Sequence, residues 1–332
     1  MDKKYFYSLD LFRGFCGYGV AICHLHAFIF NNIFMEYLSI LFVEFFFILS
    51  GFVLYPQLLK VLGKKNNLLI FYQRRWIRTI PLFVILLISV SILTNNFFSL
   101  DFFKYLVFIQ KSIPNFVTTD YYPIVWSLSI EEFFYLLFPL LLINLNKFNF
   151  IKVIMLFLLI ITLIKFILAS DVDANFYRTG TFFRFDAILF GFILAHYKNI
   201  LFKYNKIIII LAIFSLIFYM NSYSFFISKK EITFSKIIFI LFMQVVSGLI
   251  MFSFLSLEKF IINKTIKDIC LLVSSQTYSI YLFHIILIYI FQKTNISLPI
   301  MNFIYILLLF FVSTLVYKFF EKPLLELRPK IY

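Results

Sequence analysis

Two side chains able to do chemistry, Arg13 and His24, stand eleven positions apart in the first apolar stretch, SLDLFRGFCGYGVAICHLHAFIF. A helix turns about 100° per residue, so eleven residues bring both side chains to within roughly 20° of one face, about 16 Å apart along the axis. A neutral imidazole can take a proton from a hydroxyl or attack a carbonyl carbon, and a guanidinium can hold a phosphate or an oxyanion. Ionisable groups inside an apolar span are costly and usually face a polar interior where they serve function. The bland reading, a histidine that only hydrogen-bonds a neighbouring helix, fits His24 less well because of its arginine partner. His24 and His26 point about 160° apart and have no carboxylate at helical spacing, so no metal is expected there.

Other titratable groups fall at a similar predicted depth. Counting at 1.5 Å per residue from the predicted span ends puts His24, Glu44, the Glu131–Glu132 pair and His284 roughly 18–21 Å into a core about 30 Å thick. Adjacent residues diverge by about 100°, so one of Glu131 and Glu132 faces the interior and the other a neighbour. A second cluster, Arg74, Arg75 and Arg78 in FYQRRWIRTIP, precedes the predicted third span. Arg75 and Arg78 share a helix face, and their forked donors suit a pyrophosphate or phosphomonoester. Basic residues also flank the inner ends of most spans, which is the competing explanation.

The elements that must carry these groups follow from composition. The 332 residues are 63% hydrophobic and 14% charged, with mean hydropathy +0.97. No soluble core could hide that much apolar surface, and the apolar runs are continuous rather than alternating, which argues against a β-barrel. The expectation is an all-α polytopic bundle forming a single domain over 1–332. Ten spans are predicted near 10–30, 37–55, 77–94, 124–144, 150–169, 181–197, 206–221, 236–256, 270–291 and 299–320. The sixth carries Arg184 and Asp186, Lys165 is expected to anchor at the membrane interface, and the apolar FFKYLVFIQ within 95–123 is expected to lie along the membrane surface. With the N-terminus inside, 21 of the 30 Lys and Arg fall on the inner side, among them Lys3, Lys4 and Lys330. Seven fall outside, among them Lys229 and Lys230. That bias places both termini in the cytoplasm. The net charge of +14 then reads as a topology signal, and no basic folded surface for nucleic acid is expected. Cys16, Cys23 and Cys270 offer no disulfide framework.

Taken together, these segments resemble the membrane acyltransferase-3 family of polytopic enzymes that O-acylate glycans and other envelope or secreted acceptors. The resemblance runs in order through LDLFRG and the ten residues separating Arg13 from His24, FVEFFFILSGFVL, FYQRRWIRTIPL, VWSLSIEEFFYLLFP, FFRFDAILFGFILA, SSQTYSIYLFHIIL and YKFFEKP. It implies that His24 is catalytic with Arg13 as partner, that Arg75 and Arg78 engage the acyl-CoA on the cytoplasmic side, and that Glu131 belongs to the catalytic block. Glu131 would orient or stabilise the imidazolium, with His24 as base or as transient acyl carrier. Glu44, His284, Trp126 and Arg184 are candidates for supporting roles. Glu44 stands where many members have Asp and Phe133 where Gln is common, while the hydrolase-like domain fused in some relatives is not seen in this sequence. The implied donor is acetyl-CoA or another acyl-CoA. The implied acceptor is a hydroxyl of a surface polysaccharide, lipopolysaccharide or lipid-linked glycan, and the implied place is a bacterial inner membrane. Membrane lipids and a second copy of the chain are the other expected partners. The competing class is a transporter or flippase for an envelope glycan or small acid, but the chain lacks an internal repeat or a matched pair of Gly/Pro-broken spans.

Overall fold

The computed structural model describes residues 5–62, 64–145, 147–169, 173–227, 233–294 and 296–329. Long apolar runs in lipid must satisfy their backbone groups internally, which makes each of them helical. In chain order the helices are α1 (Tyr7–Phe30), α2 (Ile33–Leu58), α3 (Lys65–Leu93), α4 (Leu100–Leu106), α5 (Trp126–Leu142), α6 (Lys147–Ile167) and α7 (Ala174–Thr179). There follow α8 (Phe185–Lys203), α9 (Asn205–Asn221), α10 (Tyr223–Ile227), α11 (Thr233–Ser256), α12 (Lys264–Phe291), α13 (Leu298–Val316) and α14 (Lys322–Glu326). No strand occurs among the described residues. Asn31, at φ 51, ends α1 with its N–H on the His26 carbonyl; asparagine tolerates this left-handed conformation, and the chain turns straight into α2.

By length and apolar composition, eight helices among the described residues can cross a membrane. Every predicted span falls on a helix, the two outside those eight being α1, which carries Asp10 and Arg13, and the shorter α9. Large apolar side chains stand exposed along them, such as Ile207, Phe214 and Phe218 on α9 and Phe303 and Phe311 on α13, as lipid-facing surfaces require. The protein is thus a polytopic helical membrane protein. Lys3, Lys4, Lys229, Lys230 and Lys330, which contribute to the charge bias between the two sides, lie outside the described residues.

The chain forms two compact units. The first comprises Met1–Leu49, Tyr197–Lys230 and Leu241–Phe319. Its centre is the packing of α1 on α12, with α13 against α12. Gly14 makes that approach close: a Cβ there would lie 2.5 Å from Val273 Cγ2. Tyr37 and Tyr219 brace α2 against α9, each hydroxyl donating to the other's carbonyl at 2.7 and 2.9 Å.

The second unit comprises Ser50–His196, Glu231–Ile240 and Phe320–Tyr332. Here α3 packs against α4, α5 and α14. Gly51 on α2 meets α8 so closely that a Cβ would lie 2.0 Å from the Ile188 carbonyl oxygen. Two expectations change in this unit. Lys165 is not an interface anchor; it is fully buried and paired with Asp186, beside the equally buried Arg184. A buried ammonium needs a carboxylate to offset its desolvation, and Asp186 supplies it. The third helix also starts earlier than predicted, at Lys65, so Arg74, Arg75 and Arg78 lie within α3. The residues from Lys65 up to the apolar run contain neither Gly nor Pro, which lets the helix extend outward. In the 95–123 segment the apolar stretch forms the short α4, capped by Ser99, whose side chain accepts from the Phe102 N–H.

Candidate active site

In the first unit, the two residues singled out on α1 both meet α12. Arg13 Nη1 lies 3.4 Å from Ser274 Oγ and 3.8 Å from Asp10 Oδ1. Ser274 donates to Asp10 Oδ1 at 2.6 Å, and the Tyr5 hydroxyl donates to Asp10 Oδ2 at 2.6 Å. Asp10 is buried and one turn before Arg13, so it and Ser274 fix where the guanidinium stands. Eleven residues further along α1, and ten along α12, His24 Nδ1 lies 2.9 Å from His284 Nε2. The rings are nearly parallel, 22° apart with centroids at 5.2 Å. The two helices therefore run alongside each other in register, one contact at each level.

The hydrogen bonds assign the tautomers. His284 Nδ1 lies 3.1 Å from the Ile280 carbonyl. A carbonyl can only accept, so in a neutral imidazole Nδ1 carries the hydrogen and Nε2 is the acceptor. His24 Nδ1 then donates to it, which leaves the lone pair of His24 on Nε2. Tyr305 of α13 holds the same level, its buried hydroxyl 3.2 Å from the Ala21 carbonyl and 3.3 Å from that of His284. An imidazole whose Nδ1–H is held by a fixed acceptor is suited to act through Nε2 as a base or a nucleophile. Glu44 is buried in this same unit.

In the second unit, the arginines of α3 meet α5. The Arg75 guanidinium lies 4.6 Å from the centre of the Tyr135 ring and 5.7 Å from that of Phe71. It donates to Gln57 Oε1 at 3.2 Å. Tyr135 in turn donates to Glu131 Oε2 at 3.0 Å, one helical turn away, and exchanges a 2.9 Å hydrogen bond with Ser50. Arg75 and Arg78 both act electrostatically on Glu131. Glu132 takes another direction and lines a cavity of about 110 Å³ with Trp76, Phe133 and Leu136. Arg75 acts on Glu132 as well, so both carboxylates lie near the arginines, and Glu131 is the one tied to Tyr135. A guanidinium fixed by a ring stack and an amide keeps further N–H donors of the kind that can grip a phosphate.

The acyltransferase-3 family, described as an acyltransferase domain, matches residues 6–317. The chain belongs to that family. Acyltransferase-3 membership covers both units and every helix from α1 to α13. Among curated relatives, the chain is 32% identical over 219 residues to an uncharacterised protein of Haemophilus influenzae, covering 54% of this chain and 88% of that protein. It is 29% identical over 220 residues to the O-acetyltransferase OatA of Staphylococcus aureus, covering 58% of this chain and 35% of OatA. The matched part thus spans about a third of OatA's length. No solved structure matches the chain.

Within this acyltransferase-3 chain, His24 and His284 are brought into direct contact, and Arg13 shares their α1–α12 seam. Arg75, Arg78 and Glu131 are brought together in the second unit. Two supporting candidates sit elsewhere in that unit: Arg184 in the buried Lys165–Asp186 ion cluster, and Trp126 with its ring 5.4 Å from the Arg178 guanidinium. Sequence reasoning missed Asp10, Ser274, Tyr135 and Gln57. Asp10 stands three residues before Arg13, and Tyr135 four after Glu131, so helical spacing alone could have flagged both. Gln57 carries no such signal.

Proposed function

We propose that this protein is an O-acyltransferase of a bacterial inner membrane that moves an acetyl group from acetyl-CoA to a hydroxyl of an envelope glycan or its lipid-linked precursor. One observation carries the reading: an acyltransferase-3 chain in which His24 Nδ1 lies 2.9 Å from His284 Nε2, whose own Nδ1 faces the Ile280 carbonyl. The name of the OatA relative supports acetyl transfer to oxygen.

In the proposed reaction His24 Nε2 takes the proton of the acceptor hydroxyl as its oxygen attacks the thioester carbon. The C–O bond forms, the C–S bond breaks, and the thiolate of CoA leaves and receives the proton back from His24. His284 stabilises the transient imidazolium by accepting its Nδ1–H, as an orienting group does for catalytic histidines in general. Arg13 stands about 16 Å along α1 from His24 at 1.5 Å per residue, so its role is to hold an anionic part of a substrate. Arg75 and Arg78 recognise the donor phosphates, with Glu131 and Tyr135 setting the position of Arg75. The test is purified protein given acetyl-CoA labelled in the acetyl group together with a crude envelope glycan fraction. Label in the glycan as a base-labile ester is the expected result. Label that stays in acetyl-CoA while glycan is moved across a vesicle membrane would replace the enzyme reading with a transport one.

A further inference from the structure

The C-terminal tail brings a fourth guanidinium to the arginines of α3. After Tyr317–Glu321 and α14, which packs on α3, the chain is tied down by Arg74, whose Nη1 donates to the Pro329 carbonyl at 2.6 Å. That bond holds Arg328 against the basic turn of α3. Arg328 Nε and Nη2 are both buried and have no hydrogen-bond partner among the described residues. Burial, followed by repulsion from Arg78, Arg74 and Arg75, weighs against its charge, and only Glu321 opposes this. Arginine stays protonated at any physiological pH, so two buried donors facing like charges leave an unmet demand for an anion. None of the described acids nearby makes a hydrogen bond to Arg328: Glu321 acts on it only electrostatically, and Glu131 accepts from Tyr135.

We propose that Arg328 is a phosphate-binding residue that completes one polyphosphate site with Arg75 and Arg78, with Arg74 as the positioning residue that pins the tail. The Nε–Nη2 edge is the fork that grips two oxygens of one phosphate. An organic pyrophosphate suits a site that presents more than one such fork. The identification of that pyrophosphate as the CoA portion of the donor rests on the function proposed above.

Calorimetric titration of the full-length protein in lipid nanodiscs tests this, with CoA, inorganic pyrophosphate and phosphate-free pantetheine as probes. Arg328→Gln is expected to weaken CoA binding 10- to 100-fold and to leave pantetheine binding unchanged. Arg328→Lys should recover only part of the loss, because an ammonium lacks the fork. Arg74→Gln should weaken CoA several-fold by releasing the tail, and it covers the case in which Arg328→Gln does not fold. Equal CoA affinity in wild type and a folded Arg328→Gln or Arg74→Gln would overturn the proposal and leave the donor reading intact. Arg328-dependent binding of pyrophosphate without binding of CoA would support the site and overturn the donor reading. Binding of neither by the wild type would overturn both.

Discussion

Replacing His284 by leucine removes the acceptor of His24 Nδ1–H from the centre of the first unit, together with the donor to the Ile280 carbonyl. The side chain is fully buried, and leucine fills nearly the same volume but leaves His24 Nδ1–H without its acceptor, so stability should fall by about 1–3 kcal/mol. The chemistry should change as well. In the wild type the Ile280 carbonyl fixes hydrogen on His284 Nδ1, and His284 Nε2 accepts from His24 Nδ1 at 2.9 Å. Without that acceptor, His24 loses the bond that keeps hydrogen on Nδ1 and the lone pair on Nε2. A hydrogen bond to a charged group, here the transient His24 imidazolium, is worth about 1.5–3 kcal/mol, and about 1.4 kcal/mol is a factor of ten in rate. The acetyl-transfer kcat of His284→Leu should therefore fall roughly 10- to 100-fold, with CoA affinity unchanged. Glutamine can present a carbonyl oxygen near the place of Nε2, so His284→Gln should regain most of the loss. The assay is steady-state transfer in nanodiscs, with melting temperature measured on the same samples. A His284→Leu enzyme within twofold of wild-type kcat, or a His284→Gln enzyme no better than His284→Leu, would refute the assignment of the His24 tautomer to His284.

Three further outcomes follow from other parts of the molecule. Arg75→Ala should raise the KM for acetyl-CoA at least tenfold while the acceptor KM stays constant, measured by varying each substrate in turn; an unchanged donor KM would return this arginine to a purely topological role. Gly51→Ala would push a methyl group to 2.0 Å from the Ile188 carbonyl oxygen, and overpacking of this kind costs about 1–3 kcal/mol, so thermal melting should shift down. Asp101, outside the spanning helices, accepts from Lys104, Thr118 and Thr119. Burial pushes its carboxyl up, but these donors outweigh burial and hold it well below the usual range. A lowered folded value means the stabilisation is complete above the unfolded pKa, about 3.9, and is lost as pH falls below that. Limited proteolysis of the 95–123 segment should therefore accelerate as pH drops below about 4, and Asp101→Asn should be cleaved readily even at neutral pH.

The candidate residues are easier to read from sequence than the contacts that organise them. Apolar runs of spanning length located every long helix, because lipid leaves the backbone no alternative. Helical spacing put Arg13 and His24 on one face and Arg75 with Arg78 on another, and both pairings hold within continuous helices. The pairing of His24 with His284 was not legible, since it depends on the register of α1 against α12, two helices 260 residues apart in sequence. The two helices approach closely at Gly14 and Gly17, residues with no chemical signal of their own. Lys165 looked like an interface anchor by its place near a span end; its pairing with Asp186 from another helix is a tertiary fact. Arg328 counted only as one more inner-side cation, because neither its burial nor the grip of Arg74 on Pro329 leaves a local pattern.

The central claim is that acyl transfer runs through His24. Its most direct test is the rate of acetyl transfer from labelled acetyl-CoA by wild type and His24→Ala, each purified, shown to be folded by its melting transition and shown to bind CoA. The account predicts that His24→Ala binds CoA as the wild type does and transfers acetyl groups at least 10²-fold more slowly, the usual range for loss of a general base being about 10²–10⁴. A folded His24→Ala protein that transfers acetyl groups at close to the wild-type rate would contradict it.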